Sequence, residues 1–339
     1  MTTELDLDAL AGYLRGQGIA VSGELTATQI SGGRSNLTYR LTDGAGTWLL
    51  RRPPLAGRTA SAHDVAREFR VCSALYGTDV PVAEPLALCE DESVIGTPFT
   101  LTAWVPSVVI RDSVELDPLS DVQVDALVDE LVRVLGALHA VDVAAVGLES
   151  FGKPQGFLNR QVALWRRQWE NFATRDLPDL EALHERLAER VPEQGDSTVV
   201  HGDYRVDNTL LDAADPTTVL AVVDWEMSTL GDPLADVALM CTYRDPALDV
   251  ILSAPAAWTS SRLPDADSLA ERYAKATGRE LRHWPFHLGL AHLKLAVIAE
   301  GIAYRALAGS DPGGGVRAAE VVPPLVAAGL RYLGASSSG

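Results

Sequence analysis

Two short apolar runs, Thr198–Val200 and Val219–Val223, constrain this chain most, because each ends abruptly in polar residues. Apolar runs of this length bounded by turn residues read as buried strands. The first leads into His201, Gly202, Asp203 and then Asn208; the second leads into Asp224. Thr209–Leu211 lies between them, with a turn at Asp215–Pro216, so a β-hairpin is expected to connect them. That hairpin would gather Asp203, Asn208 and Asp224 in a loop region above a buried strand pair. Carboxylate and amide oxygens suit a hard cation such as Mg²⁺, and a spare aspartate suits a base that receives a hydroxyl proton. Asp and Asn are also ordinary turn formers. The longer string, HGDYRVDN (201–208) followed by VVDWE (222–226) and GDPLAD (231–236), goes beyond what a turn needs.

This string resembles the catalytic centre of the aminoglycoside phosphotransferase and choline kinase family, which shares the protein-kinase-like fold. The family pattern is HGDxxxxN, then a strand and an Asp. The resemblance implies that Asp203 orients the acceptor hydroxyl and takes its proton. It implies that Asn208 and Asp224 hold Mg²⁺ on the phosphates of ATP or GTP. Asp207 and Glu226 are less specific, and Asp236 is expected to be structural, bonding back to the catalytic loop. The implied fold is α+β and bilobal: residues 1–106 as a nucleotide-binding lobe with a five-stranded antiparallel sheet plus helix, and 107–339 as a mostly helical catalytic and acceptor-binding lobe.

The order of elements agrees with that layout. Helical spacing at 5–15 is followed by three strands within 24–54, broken by turns at Ser31–Ser35 and Asp43–Gly46. The turn SGGRSN offers Gly32 and Gly33, whose backbone N–H groups can lie over nucleotide phosphates; a plain hairpin turn has the same composition. Strand alternation puts Leu49 and Arg51 on one face and Trp48, Leu50 and Arg52 on the other. The family carries a Lys paired with a helix Glu where this chain has Arg51. Ser61 and Asp64 open the next helix, on which Glu68 is the candidate partner of Arg51. Strands at 85–89 and 98–105 complete the sheet, and the hinge contacts to a nucleotide fall by position at Ala103 and Val105. Helices are expected at Ser120–Ala140, 158–173, 179–190, 266–277, 285–308 and 317–333, with one starting at Pro233. His139 reads as a core or helix-end residue. Trp165 and Trp169, four apart, read as core in spite of the basic residues around them.

Composition narrows the function classes. A formal charge of −18 disfavours a nucleic-acid partner, which needs a basic face. No run of about 18 apolar residues occurs, so no membrane span is expected. The start, MTTELDLDAL, lacks a secretory pattern, and Cys72, Cys89 and Cys241 show no metal or disulfide spacing. Both point to a cytoplasmic protein; oligomeric state is left open.

The partner expected is a small-molecule hydroxyl acceptor. VVDWEMSTLGDPLAD resembles the subgroup related to the kinase domain fused to acyl-CoA dehydrogenases, which implies an acceptor such as a hydroxyacyl-CoA. The alternatives are an aminoglycoside-type phosphotransferase and a non-catalytic nucleotide-binding pseudokinase, the latter supported only by Arg51 in place of Lys. A protein acceptor is disfavoured by the short span from Asp224 to Asp236. In WPFHLGLAHLKLAVIAEGIAYR (284–305), His287, Lys294 and Arg305 fall on one helical face, as an anionic acceptor would require. The same cations can instead serve as partners of Glu300, Asp236 or surface acids.

Overall fold

Alternation along the third strand organises the first lobe: Trp48 and Leu50 are buried, while Leu49 and Arg51 face the other way. The computed structural model describes residues 5–30, 36–54, 64–309 and 315–335. Helix α1 (Leu7–Gly16) precedes β1 (Thr26–Ile30), β2 (Leu37–Thr42) and β3 (Thr47–Arg52). Helix α2 (Val65–Leu75), β4 (Pro85–Cys89) and β5 (Phe99–Ala103) follow. The five strands form one antiparallel sheet in the order β1-β2-β3-β5-β4. Leu10 and Leu14 of α1 pack with Leu41, Leu50, Phe99 and Leu101 on one face of it.

The Asp64 side chain accepts from the Arg67 N–H at 2.9 Å, so Asp64 caps α2. Ser61, expected to share that start, lies outside the described residues, as do Gly32 and Gly33.

The second lobe contains α3 (Asp121–His139), α4 (Phe157–Phe172) and α5 (Pro178–Glu189), then β6 (Thr198–Val200), β7 (Thr209–Leu211), β8 (Val219–Val222) and β9 (Thr229–Gly231). Helices α6 (Pro233–Thr242), α7 (Ala247–Leu252), α8 (Ala266–Thr277), α9 (Trp284–Leu307) and α10 (Val322–Ala335) complete it. Ser120 and Gln123 exchange a reciprocal capping box at the start of α3. Helix α10 begins at Val322 because Pro323 and Pro324 then fall in its first turn, where missing N–H groups are tolerated; the preceding 315–321 is 3₁₀.

The β7–β8 hairpin forms as expected, pairing Thr209 with Val222. β6 instead pairs with β9, a strand the sequence pattern did not reveal. Helix α9 is long and apolar enough to cross a membrane by length and composition, but 89% of its most apolar window is buried within the protein.

Val71, Leu75, Val80 and Val82 pack into the larger core, which the C-terminal helices build. Helix α2 therefore bridges the lobes, and Arg67 on it donates to the Ser228 carbonyl at 3.0 Å. Leu50→Ala should destabilise the protein by about 2–5 kcal/mol, the usual cost of a buried leucine truncation. Because Leu50 lies only in the smaller core, hydrogen exchange should accelerate mainly in α1 and β1–β5.

Candidate active site

The site forms where β6 and β8 end, with Arg51 of β3 in contact with Asp224. Past β6 the chain must turn sharply at Gly202, whose φ is +84°. A Cβ there would come within 2.8 Å of the Met227 carbonyl oxygen, so only glycine fits. The turn is held from behind by Asp236 on α6. Its carboxylate accepts from the His201 N–H (2.6 Å) and the Gly202 N–H (2.8 Å), the structural role expected for it. Burial would raise the pKa of Asp236, yet His139 and these bonds hold it below the ordinary carboxylate range. His139 is itself buried between Asp236 (3.3 Å) and the Tyr273 hydroxyl (2.7 Å). The His201 ring accepts the Asp203 N–H at Nδ1 (3.2 Å), which leaves Nε2–H to donate to the Val223 carbonyl (2.9 Å).

Asp203 and Asn208 meet directly, and the strand end that carries Asp224 is tied to them where the Val223 N–H donates to the Asn208 carbonyl at 2.9 Å. The Asn208 amide nitrogen donates to the Asp203 carbonyl (2.7 Å) and to its carboxylate (3.1 Å), turning its own Oδ1 away from Asp203. Asp224 follows β8 in the left-handed region, φ 67° and ψ 57°, a conformation Asp tolerates better than most residues. Such non-glycine positions concentrate at functional sites. Trp225, buried beside the His201 ring at 4.8 Å, anchors the turn.

Arg51 reaches down from β3. Its Nε lies 3.0 Å from Glu68 Oε2, in ion-pair contact but not aligned for a hydrogen bond, and its Nη2 donates to Asp224 at 3.1 Å. The arginine fork thus spans both carboxylates, which a lysine head group does not do in the same planar way. The Asn36 side-chain amide donates to Glu68 at 3.0 Å. Burial pushes the Glu68 carboxyl up to about 7 despite Arg51 beside it.

Several expected contacts take another form. The Ala103 N–H is spent on the Glu84 carbonyl (2.9 Å), so Ala103 can offer a nucleotide only its carbonyl; the Val105 carbonyl accepts the Ser107 hydroxyl (3.0 Å). The face of α9 does not act as one cationic stripe. His287 pairs with Asp232 (3.2 Å), Lys294 donates to the Gly202 carbonyl (2.9 Å), and Arg305 lies exposed near the far end of the helix. Glu300 is buried with Arg175 and Thr174, away from these cations.

Two neighbours of Asp203 carried no motif signal. The Arg205 guanidinium sits 3.3 Å from both Asp203 and Asp207 and lies over the Tyr243 ring. Burial works against the Arg205 charge, but these carboxylates hold its pKa well above the ordinary value. Burial raises the pKa of the Tyr243 hydroxyl, and the nearby Asp203 carboxylate adds to the rise. Arg205 was visible only as a basic residue in a turn, and Tyr243 as one more apolar position near the end of a helix.

Among the described residues no cluster of three or more His, Cys, Asp or Glu side chains can hold a metal alone. Asn208 and Asp224 fit the other arrangement, in which protein supplies one or two oxygens and phosphates and water supply the rest.

A carboxyl whose pKa rises on folding binds more protons folded than unfolded, so Glu68 should make stability fall as pH rises from about 4.5 to about 7. Glu68→Gln should flatten that decline, as read from thermal melts at several pH values across the window. An unchanged slope would contradict the buried-carboxyl reading.

The phosphotransferase enzyme family profile matches residues 26–290. Mouse acyl-CoA dehydrogenase family member 10 is 36% identical over 313 residues, covering 91% of this chain and 29% of that protein. Human acyl-CoA dehydrogenase family member 11 is 33% identical over 324 residues, covering 94% and 41%. The chain thus spans well under half the length of these relatives. A protein of Ralstonia eutropha solved as a candidate aminoglycoside phosphotransferase superposes with a TM-score of 0.85 at 34% identity, over 98% of this chain and 99% of that one. A thermostable variant of aminoglycoside phosphotransferase APH(4)-Ia, in complex with AMP-PNP and hygromycin B, shares the fold at a TM-score of 0.61 and 18% identity, over 98% and 99%. The catalytic string, the bilobal architecture and these matches agree: the chain belongs to the phosphotransferase enzyme family and has its kinase-like fold.

Proposed function

We propose that the protein transfers the γ-phosphoryl group of ATP or GTP to a hydroxyl of a small metabolite, with Asp203 as the base. The observation that carries this reading is the fixing of Asp203. Asn208 and Arg205 hold its carboxylate, Asp236 and His201 hold the loop beneath it, and about a quarter of its side chain stays exposed. A carboxylate so oriented can accept the hydroxyl proton as the acceptor oxygen attacks. Asn208 Oδ1 and the Asp224 carboxylate are the proposed Mg²⁺ ligands; bound there with the nucleotide, the ion would neutralise phosphate charge. Arg51 is proposed to contact the phosphates while Glu68 orients it. Because Arg51 keeps that ion pair, its presence in place of Lys does not favour a pseudokinase.

The acceptor class we favour is a hydroxyacyl thioester of coenzyme A. It is supported by relatives of 33–36% identity whose names place acyl-CoA dehydrogenase chemistry on the same polypeptide. The proposal does not rest on the α9 cations, which are engaged separately.

Mg²⁺-dependent ATP and GTP consumption, screened against hydroxyacyl-CoA thioesters and aminoglycosides, tests both levels. Turnover with the thioesters and none with kanamycin is expected; the reverse would return the acceptor to the aminoglycoside class. Asp203→Asn should cut transfer by about 10²–10⁴-fold while Mg·nucleotide still binds. Wild-type turnover in that variant would remove Asp203 as the base. Asp224→Ala should weaken nucleotide binding only when Mg²⁺ is present, read by calorimetry with and without the metal. Equal affinities for wild type and variant at every Mg²⁺ concentration would remove Asp224 as a ligand.

A further inference from the structure

Lys294 enters the catalytic region from α9 between Leu293 and Leu295, both buried in the large core. Its ammonium donates to the Gly202 carbonyl at 2.9 Å and stands 5.6 Å from the centre of the Trp165 ring. Around it, Gln161, Trp165, Gly202 and Asp236 line a cavity of about 50 Å³. Packing alone does not call for a cation here, since methionine would fill the same path through the core. Burial lowers the Lys294 pKa, against the opposing pull of Asp203 and Asp236.

The Gly202 carbonyl belongs to the same peptide plane as the Asp203 N–H. Glycine is required at this turn, yet it is also the residue least able to hold its own backbone conformation. The plane's N–H side rests on a single neutral bond, to the His201 ring nitrogen at 3.2 Å. The preceding N–H of Gly202 is held by the Asp236 anion. The carbonyl side is held by Lys294 through a charge-assisted bond, the stronger kind.

We propose that Lys294 is a positioning residue of the catalytic loop: it fixes the plane of the Gly202–Asp203 peptide and so sets the direction in which the Asp203 carboxylate leaves the chain. An anion from α6 and a cation from α9 then grip the two sides of one glycine. The role differs from an acceptor grip, because the ammonium is spent on the protein's own backbone.

Lys294→Met and Lys294→Arg in the full chain test this, by hydrogen exchange of peptides spanning 200–208 and by Mg·ATP turnover with water as acceptor. Lys294→Met should exchange faster in that stretch alone, melt at or above the wild-type temperature, and lose about 10- to 100-fold in kcat with KM for ATP unchanged. Lys294→Arg keeps a donor, has the cavity to grow into, and should recover most of the loss. The kinetic arm rests on the kinase reading and the exchange arm does not. Absence of ATP turnover in the wild type would therefore count against that reading alone, and the exchange data would still decide the role of Lys294. Wild-type exchange at 200–208 in Lys294→Met overturns the proposal. So does acceleration across the whole chain with a lowered melting temperature in both variants, which would mark Lys294 as ordinary packing.

Discussion

A buried carboxylate, Asp236, is the interaction on which the rest depends. Taking an anion out of water is costly, and it persists only where several donors satisfy it. Here the donors are two backbone N–H groups of the catalytic turn and the His139 ring, which is backed by the Tyr273 hydroxyl. These groups come from α3, α6, α8 and the loop after β6, so four segments must dock before the anion is stabilised. A partly satisfied network of this kind is worse than an apolar core, which makes the arrangement close to all-or-none. The loop that carries Asp203 inherits its rigidity from the core behind it.

The cleft side is tied together differently. Arg51, Glu68 and Asp224 meet across the junction between the lobes, linking β3, α2 and the turn after β8. An arginine cannot lose its charge there, so Glu68 is the member of the pair that titrates. Helix α2 is the mechanical partner of this electrostatic link. Val71 and Leu75 pack into the C-terminal core, and Arg67 bonds to Ser228 while lying over the Phe151 ring. Relative movement of the lobes would strain both sets of contacts at once.

Around Asp203, negative and positive groups alternate closely despite the overall charge of −18. Arg205 sits between Asp203 and Asp207, and Lys294 lies near Asp203 and Asp236. Local neutralisation of this kind would suit the proposed phosphoryl transfer, in which the site receives the negative charge of a nucleotide. Net charge describes the surface, whereas the site is governed by contacts of a few ångströms.

The sequence by itself determined most of the elements and singled out the candidate site residues. Apolar periodicity located most helices and all five strands of the N-terminal sheet, because burial of one face leaves its period in the chain. The spacing of Asp203, Asn208 and Asp224 was legible because a strand followed at once by a turn fixes where its next residues go. The tertiary structure decided which remote groups meet. Thr229–Gly231 carries one large apolar residue and ends in glycine, so it does not announce itself as a strand until β6 is beside it. His287, Lys294 and Arg305 share a helical face in one dimension, yet the neighbours of α9 change along its length, so each meets a different environment. The Ala103 N–H is lost to Glu84 through sheet pairing that position alone does not reveal. Arg51 and Asp224 lie 173 residues apart, and only the packing of one lobe on the other brings their charges to 3.1 Å.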